Sequence, residues 1–343
     1  MKKLFLISLI FCLLLSACDK KAGGVESSLS SNDILSEPNQ FGEIDISNQI
    51  NSYDLYSNAI KFGDFLIISY MNYNNSRIYQ YFPNTNKIKL IAKFNHLAAI
   101  TKLNNEEFII NHWRINDLGI EECIYLKYNI NDLIKNEIIN AKEDGNSLIN
   151  INNIIYTFNN SGNLYKYDNS WNSEKVFDIN GSLDFVEDKI IFFENGIVCY
   201  SNLEGENIIK LFDPKPYGNV NILFADNSKI YFGDTINFPE IKYYFYDCKT
   251  KKIERFELMD NFYDILIYNN EYYFTNSNGQ LFKCDKNFKN FQQLTKMKTN
   301  KFSIIDGWIY FQPYSYIDEG GHINFQSNIY KLKVDGTKLT KIV

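Results

Sequence analysis

Near the C-terminus the chain reads Asp306-Gly307-Trp308-Ile309-Tyr310-Phe311. After a loop comes Asn328-Ile329-Tyr330-Lys331-Leu332-Lys333-Val334-Asp335-Gly336-Thr337, then Leu339-Thr340-Lys341-Ile342. Short runs of β-branched and aromatic residues are separated here by Asp-Gly turns, the pattern of consecutive antiparallel strands. The same order occurs upstream as Asn270-Glu271-Tyr272-Tyr273-Phe274, Gly279-Gln280-Leu281-Phe282-Lys283 and Phe291-Gln292-Gln293-Leu294. It occurs again as Asn153-Ile154-Ile155-Tyr156, Asn163-Leu164-Tyr165-Lys166-Tyr167-Asp168 and Lys175-Val176-Phe177.

The first hairpin strand of each unit recurs near Phe65, Phe108, Ile154, Ile190, Ile230, Tyr272 and Ile309, with spacings of 43, 46, 36, 40, 42 and 37 residues. Seven units of this length suit four short strands each, the period of a β-propeller blade. Helical repeats have similar periods but need a 3.6-residue apolar pattern, and the chain holds only eight Ala. The expected fold is therefore an all-β propeller of seven four-stranded blades, with six and eight as the neighbouring counts. Each unit reads as strand a (Phe302 to Ile305 in the last), a tight turn, strand b, a variable loop, strand c, an Asp/Asn turn and strand d. Ring closure supplies the driving force: a lone four-stranded sheet leaves both faces wet, whereas stacking around an axis buries them. Residues 43–50, EIDISNQI, are read as an edge strand beside the last unit.

Tyr273-Phe274-Thr275-Asn276 with Leu281-Phe282-Lys283-Cys284-Asp285, and Ile329 to Thr337, resemble the strand b and strand c signature of low-density-lipoprotein-receptor (YWTD-type) propellers. The resemblance covers about residues 53–343 and implies the fold; bacterial members of that group imply an extracytoplasmic setting.

The N-terminus carries Lys2 and Lys3, an apolar run from Leu4 to Leu15, then Ser16-Ala17-Cys18. This is a basic region, a short apolar core and a small-residue cleavage site. Leu15-Ser16-Ala17-Cys18 resembles the bacterial lipobox, in which the Cys is acylated and becomes the first residue after cleavage. Residues 1–17 are thus expected to be a lipoprotein signal peptide, 18–40 a lipidated Cys18 with a flexible polar tether, and 41–343 the propeller. The resemblance, with Asp19 after the Cys, implies anchoring at the outer face of the cytoplasmic membrane.

Composition narrows the function. A net charge of −6 argues against a nucleic-acid binder, which needs clustered positive charge. Cys123, Cys199, Cys248 and Cys284 show no CxxC spacing and no His neighbour, so no zinc site is expected, and each falls in or near strand c of a different unit, which favours free buried thiols. No sialidase Asp box, nucleophile elbow, phosphate-binding Gly loop or HExxH is present, and no cofactor or metal is expected.

The chain has only three Arg and three His. The b–c loops and d–a connections of a propeller open on one face. The longest b–c loops are read as Gln312 to Gln326 in the seventh unit, Asn111 to Glu122 in the second and Gly233 to Lys242 in the fifth; the first has Met71 to Ser76. Units seven, one and two become neighbours on closure, so Arg77, His112, Trp113, Arg114, Tyr314, Tyr316, Asp318 and His322 are expected to form one exposed rim. Aromatic residues with Arg are what contact surfaces concentrate. His96 and Trp171 are read as structural, and Arg255 as part of an outer strand. The expected function is a non-enzymatic module binding a protein, peptide or envelope glycan. The alternative is an envelope polysaccharide hydrolase or lyase with carboxylates near the propeller axis.

Overall fold

A computed structural model describes residues 58–343 except 73–74, 116–120, 134, 140–144, 153, 160–162, 169, 179–181, 187, 227, 235–240, 258–261, 317–322 and 327. Cys18, the tether and the expected edge strand at 43–50 lie outside the described residues. Among the described residues no helix is long and apolar enough to cross a membrane.

The fold is a β-propeller. Five sheets of four strands run in simple sequence order, and a sixth sheet of eight strands holds two further four-stranded units. The first unit is Ala59–Phe62, Phe65–Tyr70, Ser76–Phe82 and Lys87–Phe94, and the second Ala98–Lys102, Glu107–Ile115, Glu121–Asn129 and Lys135–Ile139. The third is Gly145–Ile151, Ile154–Asn159, Asn163–Tyr167 and Ser173–Asp178, and the fourth Leu183–Val186, Lys189–Glu194, Ile197–Asn202 and Ile209–Phe212. The fifth is Val220–Ala225, Lys229–Asp234, Lys242–Asp247 and Lys252–Phe256. The sixth is Phe262–Tyr268, Glu271–Asn276, Gln280–Asp285 and the start of Gln292–Ile305. That 14-residue strand then serves as strand a of the seventh, which continues with Trp308–Tyr316, Tyr330–Lys333 and Thr340–Lys341. All seven anchor residues of the repeat fall in a strand b, and every described pairing is antiparallel between neighbours.

Alternation along each strand sends successive side chains to opposite sheet faces, so each unit packs on both neighbours. The buried side chains accordingly form one apolar cluster per boundary. Ile67 meets Ile100 between units one and two, Tyr125 meets Leu148 between two and three, and Leu164 meets Phe192 between three and four. Ile191 meets Phe232, Tyr231 meets Tyr272, and Tyr273 meets Phe311 across the next three boundaries. The ring closes where Tyr79 and Tyr81 of the first unit meet Tyr310 and Ile329 of the seventh. Among the described residues each unit is one continuous segment, so closure there rests on side chains.

The repeated Asp/Asn at the end of strand c has a clear physical purpose. Its side-chain oxygen accepts the backbone N–H two to four residues on, which replaces lost ladder bonds in the c–d turn. Asp168 accepts from Ser170 and Asn172, Asn202 from Glu206, Asp247 from Lys249 and Thr250, Asp285 from Asn287 and Lys289, and Asp335 from Thr337. Trp171 sits in one such turn at φ 63° with its ring 5.7 Å from that of Tyr167, and Arg255 lies in outer strand Lys252–Phe256.

The four thiols are free, and three of them are buried. Burial pushes Cys123, Cys248 and Cys284 up to about 12 and Cys199 to about 11, so they stay protonated at neutral pH.

Candidate functional site

The b–c ends of units seven, one and two are stitched together. Gln312, in strand b of the seventh unit, accepts the backbone N–H of Met71 at 2.9 Å and donates to the Met71 carbonyl at 2.9 Å. The same amide donates to the Gln326 carbonyl at 3.1 Å. One side chain thus ties the b–c end of the first unit to both arms of the seventh unit's hairpin. Between units one and two, the His112 ring lies 4.6 Å from Phe94.

The loops expected in units two and seven are largely extensions of the hairpin strands. His112, Trp113 and Arg114 sit in strand Glu107–Ile115, in register with Ile124, Cys123 and Glu122. On the inner side Ala98 pairs His112, and the Trp113 N–H donates to the Leu97 carbonyl at 3.1 Å. The expected loop from Asn111 to Glu122 is corrected accordingly at its two ends: Asn111 and His112 are paired with strands on both sides and Arg114 with the outer one, while 116–120 lie outside the described residues. Alternation turns Ile110 and His112 toward the first unit, and Ile109, Asn111 and Trp113 toward the third. His112 and Trp113 are half-buried.

In the seventh unit, Tyr314, Ser315 and Tyr316 pair with Phe325, Asn324 and Ile323, so the expected Gln312–Gln326 loop is also a hairpin. Tyr314 is 7% exposed, not an open rim residue. It reaches across to the b–c turn of the sixth unit, where Gly279 has φ +74° and a Cβ would stand 2.9 Å from Tyr314 Cζ. Glycine is required there twice, for the left-handed backbone and for the ring above it. Asp318 and His322 lie outside the described residues.

Arg77 opens strand c of the first unit, half-buried, with its Nε donating to Asn75 Oδ1 at 3.4 Å. Hydrogen bonding to Tyr79 favours its charged form. Arg77 lies directly between Tyr70 and Lys93 across the sheet.

Single buried polar residues at unit boundaries are what sequence reasoning missed. Ser69 donates to the Ala98 carbonyl at 2.7 Å, and Asn150 to the Lys102 and Leu103 carbonyls at 2.7 and 2.6 Å. Ser303 accepts the N–H groups of Asn58 and Ala59, each at 3.2 Å. Asn111 is fully buried, and its amide has no hydrogen-bond partner among the described residues. The available signal was a lone polar residue inside an apolar strand, as in Ile109-Ile110-Asn111.

Catalysis at the axis would need acids on the innermost strands. Among the described residues strand a carries two, Asp184 and Asp264. Asp184 accepts the N–H of Phe185 at 2.9 Å and that of Ala225 in the next unit. Asp264 is ion-paired with Lys301. Both carboxylates therefore hold strands together. No group of three or more His, Cys, Asp or Glu among the described residues is arranged to hold a metal.

No family model matches the chain, and no curated protein matches its sequence. Solved structures do match in fold. The β-propeller domain of the Trilobed protease from Pyrococcus furiosus, described as having an open velcro topology, aligns with TM-score 0.56 at 12% identity over 84% of this chain and 97% of that one. An acylaminoacyl peptidase from Pyrococcus horikoshii aligns with TM-score 0.55 at 10% identity over 87% of this chain and 53% of the peptidase. The chain thus spans about half of that peptidase, and it covers 30% of the tricorn protease. At these identities the likeness shows the fold.

Proposed function

We propose that this chain is an exported lipoprotein, acylated on Cys18, whose propeller is a non-enzymatic binding module for a protein or peptide at the outer face of the cytoplasmic membrane. The observation that carries the binding assignment is the joined rim at the b–c face: two nine-residue strands in the second unit and a nine-residue strand b in the seventh stand beside the first unit, tied by Gln312 and by the Phe94–His112 contact. Extended hairpins give a stiff platform, which lowers the ordering cost of binding. Arg77, His112, Trp113, Arg114 and Tyr316 are the residues assigned to it. Tyr314 supports the platform from beneath, against Gly279. The lipid anchor rests on the Leu15-Ser16-Ala17-Cys18 motif.

Photo-crosslinking in the native envelope tests the rim. A benzophenone amino acid at Trp113 is expected to yield a discrete adduct with one envelope component, and the same group at Asp64, in the opposite a–b turn, to yield none. Absence of an adduct at Trp113, or equal adducts at both positions, contradicts the assignment. In the same cells Cys18→Ser is expected to free the protein from the membrane fraction or leave it unprocessed. Normal cleavage with unchanged membrane retention contradicts the anchor.

A further inference from the structure

Among the described residues the outer strand of the first unit, Lys87–Phe94, is bonded on one edge only, to strand c, as are the outer strands of all units but the sixth. Such an edge leaves backbone N–H and C=O groups open to a further strand. Its side chains are what set it apart. Lys87, Lys89 and Lys93 carry three positive charges with no acid in the strand, and none makes an ion pair among the described residues, on a chain of net charge −6. Outer strand Ser173–Asp178 of the third unit instead balances its charges, with Lys175 paired to Asp178 and Glu174 to Lys166 at 3.4 Å. Outer strand Lys252–Phe256 of the fifth mixes Lys252 and Arg255 with Glu254.

Between the lysines stand Ile88 and Leu90, 39% and 40% exposed, two of the four exposed large hydrophobic residues among those described. They lie opposite Tyr81 and Tyr79, on the sheet face turned toward the seventh unit. The seventh unit's own outer strand is only Thr340–Lys341. Ile91 bulges out of register between Leu90 and Ala92, so the straight open stretch is Lys87–Leu90.

We propose that this edge takes an acidic peptide in extended conformation, added as a further strand beside Lys87–Leu90. The backbone edge supplies hydrogen bonds at the spacing a strand requires. Ile88 and Leu90 accept alternate apolar residues on one face, and Lys87 and Lys89 accept carboxylates on the other, with Lys93 beyond the bulge. Lysines alone serve to guard an edge against self-association. Guarding does not account for two alternating exposed aliphatic residues beside them. The surface is separate from the b–c rim, so its fate is independent of the assignment made above.

The test uses the full chain and two short synthetic peptides, one alternating Glu and Val and one alternating Lys and Val. Binding of the Glu-Val peptide is expected to slow amide hydrogen exchange across Lys87–Leu90, with no slowing from the Lys-Val peptide. Reversing the three charges (Lys87→Glu, Lys89→Glu, Lys93→Glu) is expected to weaken the Glu-Val peptide about tenfold or more, since each exposed pair is worth roughly twofold to fivefold. The reversed variant is also expected to gain the Lys-Val peptide, which separates lost recognition from lost folding. Equal response to both peptides, or none to either, overturns the proposal. So does a reversed variant that self-associates when the wild-type edge ignores both peptides, which would make the lysines guards.

Discussion

The boundary between the fifth and sixth units and the boundary between the seventh and first close the same ring by different means. The first is aromatic. Phe288 lies 4.8 Å from Tyr272, 4.8 Å from Phe256 and 5.5 Å from Tyr231, and Phe224 stacks on Tyr231 at 4.3 Å. Its polar atoms are gathered inside: Tyr272 donates to Asp226 at 2.7 Å, and the Tyr231 and Tyr272 hydroxyls stand 3.0 Å apart. Burial, then the Asp226 charge, pushes both tyrosines well above their ordinary range. The second boundary has an apolar cluster too, but directional contacts are laid across it. Ser303 takes two N–H groups near the axis, Gln312 clamps Met71 at the b–c end, and Lys331 donates to the Tyr81 hydroxyl at 2.8 Å. Lys331 is almost fully buried, with the Trp308 ring 4.8 Å from its nitrogen.

Directional contacts are not confined to the seam: Ser69, Asn150 and Asp184 make them between consecutive units. Connectivity decides how much depends on them. Units five and six are consecutive in sequence, so the chain itself helps set how they meet, alongside area-driven aromatic packing. Among the described residues units seven and one are joined at the ring by contacts between distant segments. Apolar packing alone is non-directional and tolerates sliding. Hydrogen bonds to buried backbone groups do not, because a shifted register leaves them unmade at the desolvation cost of each group.

The largest expected effect is at the aromatic boundary. Phe288→Ala should lower unfolding free energy by about 3–5 kcal/mol, the usual cost of deleting a buried ring. Denaturant titration checks this, and a loss under about 1 kcal/mol would mean the ring is not packed as described. At the seam, Lys331→Met keeps the stem and removes the charge and its donors. The expected loss is about 1–2 kcal/mol, the size of a desolvated cation–π contact plus a hydrogen bond. An unchanged midpoint would show that apolar packing alone closes the ring.

The smallest effect is acidic. Asp285 and Asp335 hold equivalent c–d turns beside the two boundaries. The Asn287 and Lys289 N–H groups outweigh burial at Asp285, and the Thr337 hydroxyl and N–H act on Asp335; both carboxyls sit below their ordinary range. A depressed carboxyl stabilises the fold above its unfolded value, near 3.9, and that contribution is lost as pH falls through the folded value. Asp285→Asn and Asp335→Asn should therefore each shrink the drop in melting temperature between pH 6 and pH 3. A larger drop in either variant contradicts the assignment.

The fold was legible because each unit announces itself locally. Strand b begins after a tight turn with consecutive aliphatic or aromatic residues, and in every unit but the first strand c ends at or just before the Asp or Asn that caps its own turn. The second and seventh hairpins were misjudged because Asn111-His112-Trp113-Arg114 shows no apolar alternation, and its strand character comes from partners at Ala98 and Glu122–Ile124. Gln312 and Lys331 were invisible for a different reason. Their partners, Met71 and Tyr81, lie 241 and 250 residues away, so no local pattern marks them.

Amide hydrogen exchange at Met71 tests the closed ring most directly. Its N–H has one described acceptor, Gln312 Oε1, across the seam. The account predicts a protected Met71 amide in the native protein. In Gln312→Ala that protection should be lost while the Ala59 amide, held by Ser303, stays protected. A Met71 amide that exchanges at the unprotected rate in the wild-type protein would contradict closure between the seventh and first units.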